Sequence, residues 1–132
     1  MPVSYRGTYG YNNFTGIVYV YEKTGATWSS NPTATLEASD AAEGNFFCIP
    51  AIDNDVIVIG APYNGAGVAY IFEKSGATWL SMTETAKITA SDAVVGDYFA
   101  DYIAIEGNIL HILSNNSSTM SPEIVLTLSA AL

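Results

Sequence analysis

Short apolar runs alternate along this chain with polar, glycine-bearing connections at a spacing of roughly ten residues, and no stretch sustains the helical period. Residues 16–22 and 67–73 each run from a glycine to a glutamate through five consecutive apolar or aromatic residues, mostly β-formers, which predicts strands buried on both faces. Lys23-Thr-Gly25-Ala and Lys74-Ser-Gly76-Ala follow them, placing Gly25 and Gly76 where a tight hairpin needs a positive φ. Less apolar strands then run from Trp28 to about Ala38 and from Trp79 to about Ala90. Polar connections at 39–44 and 91–96 lead into apolar runs at 46–52 and 98–105, and the turn pairs Asp53-Asn54 and Gly107-Asn108 return the chain as strands 56–61 and 109–113.

The pattern occurs twice. Gly16-Ile-Val-Tyr-Val-Tyr-Glu-Lys-Thr-Gly-Ala-Thr-Trp28 returns 51 positions later as Gly67-Val-Ala-Tyr-Ile-Phe-Glu-Lys-Ser-Gly-Ala-Thr-Trp79. Leu36-Glu-Ala-Ser-Asp40 returns 52 positions later as Ile88-Thr-Ala-Ser-Asp92, and Ala51-Ile52 returns 53 later as Ala104-Ile105. A period near fifty belongs to arrays in which one unit cannot bury both of its own faces. With four strands per period, the unit has the make-up of a propeller blade, and the fold class is all-β.

Composition narrows the partners. The 132 residues hold 13 acidic against 4 basic side chains, a net charge of −9, which argues against nucleic acid and anionic lipid. No apolar run is long enough to span a membrane, and Met1 to Arg6 lacks a signal-peptide core. The single cysteine, Cys48, lies between Phe47 and Ile49 and reads as a small buried apolar residue.

Thr35-Leu-Glu-Ala-Ser-Asp40, Gly44-Asn-Phe-Phe47, Ala51-Ile-Asp-Asn-Asp-Val-Ile-Val-Ile-Gly60-Ala-Pro62 and Gly67-Val-Ala-Tyr-Ile-Phe-Glu73 together resemble the FG-GAP repeat. That repeat builds the seven-bladed propellers of integrin α-subunits and of many bacterial surface proteins. The resemblance covers about residues 10–113 and implies an extracellular or cell-surface, adhesive, integrin-like role. Two departures stand out: the Phe-Gly pair has become Phe47-Cys48 and Phe99-Ala100, and Gly-Ala-Pro occurs once, with Leu113-Ser-Asn in its second place. In the family's blade order, Phe47 and Phe99 open innermost strands, and Trp28 and Trp79 mark outer ones. The expected organisation is a degenerate N-terminal loop segment 1–15, a half blade 16–38, a full blade 46–90, a half blade 98–113, and a divergent tail 114–132 with a strand at 123–128.

Some members of the family hold calcium in an Asp-rich loop, but Asp53-Asn54-Asp55 is too short a turn to supply six or more oxygens. Asp40, Glu43, Asp92 and Asp97, in the longer blade-to-blade loops, are the carboxylates that could lend themselves to a shared calcium site. Solvated charge is the expected role, and no cofactor is expected. His111, the sole histidine, stands where the first repeat has Val58 and reads as a packed or interface residue rather than a general base. No nucleophile elbow, phosphate loop or metal-spaced His/Cys set is present, so catalysis is not expected. Trp28 and Trp79 share a repeat position, which favours packing between blades over sugar stacking. Gly16, Gly60, Pro62 and Gly67 complete the structural positions of the repeat. Asn13, Asn115 and Asn116 open glycosylation triplets.

Two half blades and one whole blade amount to two blades' worth of sheet, fewer than a closed propeller holds. The free edges of strands 16–36 and 99–113 lie at opposite ends of the array, so the expected partner is another copy joined head to tail. The result is a homo-oligomeric ring, six blades from a trimer or eight from a tetramer, or a filament, with interfaces in the obligate class of roughly 2,000 Å² or more. The alternatives are a lectin-like module binding a glycan or a protein ligand on the loop face, and a piece of a longer surface propeller.

Overall fold

The computed structural model describes residues 3–7, 12–114 and 124–127, the first and last of these as backbone strands. Among them run eleven strands: β1 (Val3–Gly7), β2 (Val18–Thr24), β3 (Thr27–Trp28), β4 (Ala34–Leu36), β5 (Ile49–Asp53), β6 (Val56–Ala61), β7 (Val68–Glu73), β8 (Ala86–Ile88), β9 (Phe99–Glu106), β10 (Ile109–Ser114) and β11 (Ile124–Thr127). Every pairing within the three sheets is antiparallel. The middle sheet is a complete meander, β5-β6-β7-β8; the first has β1 and β4 on either side of β2, with β3 folding back on its end; the third runs β11-β10-β9.

Alternation along β6 and β7 distributes their side chains to two cores. Ile57, Ile59, Ala61, Val68, Tyr70 and Phe72 pack with Val18, Val20, Ala34 and Leu36 of the first sheet. Val58, Ala69 and Ile71 pack with Phe99, Ile103, Leu110 and Ile112 of the third. The middle sheet is therefore buried on both faces, as its unbroken apolar runs predicted, and each large side chain so placed contributes about 1.5–3 kcal/mol. Sheets stacked face to face in chain order, each a meander of up to four antiparallel strands, are propeller-type blades.

The blades are joined across their outer parts as well as through their cores. Leu36 and Met82 form an isolated parallel bridge, the Glu37 and Met82 amides donate to Met82 and Thr35 carbonyls, and the Thr35 amide donates to Ser81 Oγ at 3.0 Å. At the inner end, backbone approach is so close that a Cβ on Gly67 would collide with the Phe99 carbonyl oxygen, and one on Gly60 with that of Ala100.

Four differences from the sequence expectations have local causes. Residues 3–7, expected within a loop segment, form β1. Its register on β2 (Gly7 opposite Val18, Val3 opposite Glu22) repeats that of β6 on β7 (Gly60 opposite Ala69, Val56 opposite Glu73), so β1 fills the second-strand position of the first blade. Equally, β11, within the expected 123–128 strand, pairs with β10 as β7 does with β6 (Val125 opposite His111, Ile71 opposite Val58) and fills the third-strand position of the last blade. Each terminal sheet thus has three blade strands where two were expected, and the facing edges of β2 and β10 are covered within the chain. Gly25 has the expected positive φ (63°), but Gly76 does not, because the second repeat forms no counterpart of β3. The first β5-β6 turn is centred on Asn54-Asp55, one residue beyond the expected pair, with Asn54 at φ 52°.

Candidate functional site

A polar network crosses from the first blade to the second at the connection after β4. Tyr70 Oη donates to Asp40 Oδ1 at 2.7 Å; Asn64 Nδ2 donates to Tyr70 Oη at 2.7 Å and to Asp40 Oδ2 at 3.2 Å. Lys87, opposite Tyr70 in the β7-β8 register, pairs with Asp40 at 3.1 Å and with Glu84 at 3.6 Å, and its ammonium sits 5.7 Å from the Tyr70 ring centre. Glu84 in turn accepts from both the amide and the hydroxyl of Ser39. Burial pushes the Asp40 carboxyl upward, but the hydrogen bonds of Tyr70, Lys87 and Asn64 outweigh it and hold Asp40 below the usual carboxylate range. Burial and the Asp40 hydrogen bond raise the Tyr70 phenol, so it stays a donor. Each oxygen of the Asp40 and Glu84 carboxylates and the Tyr70 hydroxyl meets a donor, which makes the network a fastening between blades.

At the loop end of the blades lies a row of aromatic rings. Phe14 stacks on Phe46 (centroids 5.1 Å apart), Phe46 meets Tyr63 (4.7 Å), and Tyr63 meets Tyr98 (4.9 Å). Phe46 and Tyr98 are repeat equivalents on successive blade-to-blade connections, and Tyr63 bridges them from the β6-β7 loop. Phe14, Phe46 and Tyr98 all have positive φ (65°, 57° and 52°), a backbone state costly for bulky residues; the Phe46 amide donates to the Phe14 carbonyl at 2.9 Å, and the Asp101 amide to the Tyr98 carbonyl at 3.1 Å. Phe14 and Tyr63 are about half exposed. Sequence reasoning missed this row, although aromatic residues at both equivalent positions, beside Phe47 and Phe99, were its signal.

The carboxylates considered for calcium do not converge. Asp40 is committed to the network, Glu43 accepts from Asn13 Nδ2 at 2.9 Å, Asp97 Oδ2 accepts from the Val94 amide at 3.0 Å, and Asp92 is exposed. Among the described residues no three His, Cys, Asp or Glu side chains form a metal-sized group, so the donor set does not fit the ion. Glu43 does border a polar hollow of about 260 Å³ with Asn12, Thr15 and Glu37. His111 is half-buried in β10, and Cys48 is buried with its Sγ 3.2 Å from the Phe46 carbonyl oxygen. The Asn13 amide is engaged by Glu43; Asn115 and Asn116 lie outside the described residues.

The two tryptophans differ although they share a repeat position. Trp79 is 1% exposed, packed against the first blade with its backbone amide on Glu22 Oε1 at 2.9 Å. Trp28, against which no blade packs among the described residues, is 44% exposed, with the Lys23 ammonium over its ring at 6.0 Å. Packing between blades, expected of both, holds for Trp79 alone.

A stack of antiparallel blades, packed face to face and fastened by hydrogen bonds, defines a propeller-type repeat module. The family model of the FG-GAP repeat matches residues 31–72 and 82–114, more than half of the chain, and the protein belongs to that family. The comparison with curated proteins gave no match. No described helix is long and apolar enough to cross a membrane.

Proposed function

We propose that the chain is a non-catalytic structural or adhesive subunit, extracellular or on a cell surface, that completes its terminal blades with other copies of itself. The observation that carries this reading is the unequal state of the blades: the middle one is complete and buried on both faces, while each terminal one has three strand positions filled and, among the described residues, a blade against one face only. Three blades are fewer than the four or more of a closed propeller. Sheets left so are normally covered in natural proteins. Tyr102, Ile109 and Trp28, each more than two-fifths exposed, lie on the end blades. Head-to-tail joining gives a ring or a filament according to the angle between copies. Native mass spectrometry tests this: multiples of the chain mass at micromolar concentration support it, and a compact, stable monomer overturns it.

A second reading, a lectin-like module, is favoured by the aromatic row Phe14, Phe46, Tyr63 and Tyr98. Phe14 and Phe46 cover each other's faces and Tyr63 is tilted against Phe46 and Tyr98, so a glycan would have to stack on the outer faces of the end rings or lie along the ring edges. A glycan array on the wild type and on Tyr63→Ala tests it; binding lost in the variant supports this reading, and no binding by either removes it.

A further inference from the structure

Two contacts that fasten the first blade to the second have unmated copies at opposite ends of the chain. Glu22 Oε1 accepts the Trp79 amide, and Asp40 Oδ1 accepts the Tyr70 hydroxyl. By the repeat, Glu73 is the counterpart of Glu22 and Trp28 of Trp79; Asp92 is the counterpart of Asp40 and Tyr19 of Tyr70. Glu73 is half-buried and Asp92 exposed, and neither carboxylate meets a donor among the described residues; Tyr19 is half-buried and Trp28 exposed, again without an acceptor. The acceptors thus lie on the second blade and on the connection leading out of it, and the donors on the first blade.

We propose that strands are exchanged between copies, so that β2 to β4 of one chain become the third and fourth strands of another chain's last blade, with Trp28 docking on Glu73 and Tyr19 on Asp92. This rests on the self-assembly reading and specifies its geometry. In such a composite blade, β9 and β10 supply the first two strands, giving the order of the complete middle blade. Tyr19 and Tyr21 take the places of Tyr70 and Phe72 against Ala69 and Ile71, and the interface continues the one already formed between the first two blades. The exchange displaces β1 and β11, which the register marks as occupants of positions that β10 and the incoming β2 take over.

Simple stacking of whole terminal blades is the competing arrangement, and it fits less well. There Trp28 would fall opposite the third strand of the last blade, where the register places Thr127 in the position of Glu73. An acid stands at the required position only in the exchanged form.

The test uses two double variants of the full chain, Tyr19→Phe/Trp28→Ala and Glu73→Ala/Asp92→Ala, compared by native mass spectrometry with the wild type. All four positions lie outside the two cores, and circular dichroism checks each fold. Each variant alone should need roughly tenfold or more higher concentration to assemble, since Tyr19→Phe and the acid substitutions leave buried polar groups unpaired, and Trp28→Ala, which keeps the backbone amide, removes the ring that would fill the contact. Mixed one to one, they should form mainly capped heterodimers, because only one of the two possible head-to-tail contacts is intact. In the wild type, acrylamide quenching of Trp28 should fall as assembly proceeds, a readout independent of the variants' folding. Variants that assemble as the wild type does, with Trp28 still quenched, overturn the exchange and leave assembly standing. A wild type that stays monomeric with Trp28 open overturns both.

Discussion

The backbone amide of Trp79 donates to Glu22 Oε1 at 2.9 Å across 57 residues of chain, and the two residues are 1% and 4% exposed. This contact ties the outer part of the middle blade to the third strand of the first. Glu22 Oε2 and Trp79 Nε1 are buried beside it without a hydrogen-bond partner. Glu22→Ala should therefore cost about 2 kcal/mol or more, because it strips the buried amide of its acceptor and opens a gap. Glu22→Gln keeps an acceptor oxygen and adds a donor, and should stay within about 1 kcal/mol of the wild type. Urea denaturation of both variants checks this; equal losses would show that packing, not the hydrogen bond, is what matters there.

Gly25 and Gly67 both have positive φ (63° and 112°), but only Gly67 is crowded, with the Phe99 backbone against it; around Gly25 nothing lies within 4 Å of an added Cβ. Gly25→Ala should cost about 1–2 kcal/mol, the penalty of a side chain in the left-handed region. Gly25→Val should cost more, through its branched Cβ. Gly67→Ala adds a collision with backbone that cannot rotate away and should cost about 3 kcal/mol or more. Thermal melting separates the two mechanisms, since each kcal/mol moves the midpoint of a chain this size by about 4 °C. Equal shifts for Gly25→Ala and Gly67→Ala would sink the steric account.

The repeat made the middle blade legible because its sequence satisfies every constraint at once: apolar runs for two buried faces, turn residues between them, and glycines where backbones meet. The end blades were less legible. In β1, Val3 and Gly7 match Val56 and Gly60 of β6, but Ser4 and Arg6 stand where β6 has Ile57 and Ile59, so the apolar pattern that marks a buried strand is absent. Pairing in register, a long-range property, decided that strand. The Trp position misled in the same way, since the Gly-Ala-Thr-Trp sequence shared by Trp28 and Trp79 gives opposite burial when, among the described residues, a neighbouring blade packs on Trp79 alone. The Asp40 network was visible only as separate residues, because its members come from four segments that the fold brings together.

That network makes stability depend on pH at both extremes. Asp40 and Glu84 are held below their ordinary values of 3.8 and 4.5, against the upward push of burial, by hydrogen bonds from Tyr70, Lys87 and Ser39. Groups with depressed values stabilise the fold above their unfolded pKa and lose that contribution as pH falls through the folded one, so an acid limb should begin below about pH 4.5. Tyr70 is raised from 10.0, chiefly by burial, and its contribution is intact below that pH and lost as pH climbs further. Asp40→Asn should flatten the Asp40 part of the acid limb, and Tyr70→Phe the phenol part of the alkaline one, each with some loss of stability at neutral pH. Denaturant midpoints measured from pH 3 to 11 give the profile; variants that keep the wild-type shape on both limbs would show that the dependence arises elsewhere.

Calcium should leave stability nearly unchanged. Of the four candidate carboxylates, Asp40 is held by Lys87, Tyr70 and Asn64, Glu43 by Asn13, and Asp97 by the Val94 amide, so a cation would have to break existing bonds before gaining oxygens. Among the described residues Asp92 is the candidate left exposed, and one carboxylate with water is far short of the six to eight oxygens of a tight site. A ligand that binds only the folded state raises stability by about 2.7 kcal/mol at a hundredfold excess over its Kd, so binding would be plain in a melting curve. Curves in millimolar calcium and in chelator should overlay. A rise of several degrees with calcium would mean that the blade-to-blade loops rearrange around the ion, and Asp92→Asn combined with Asp97→Asn should then abolish it.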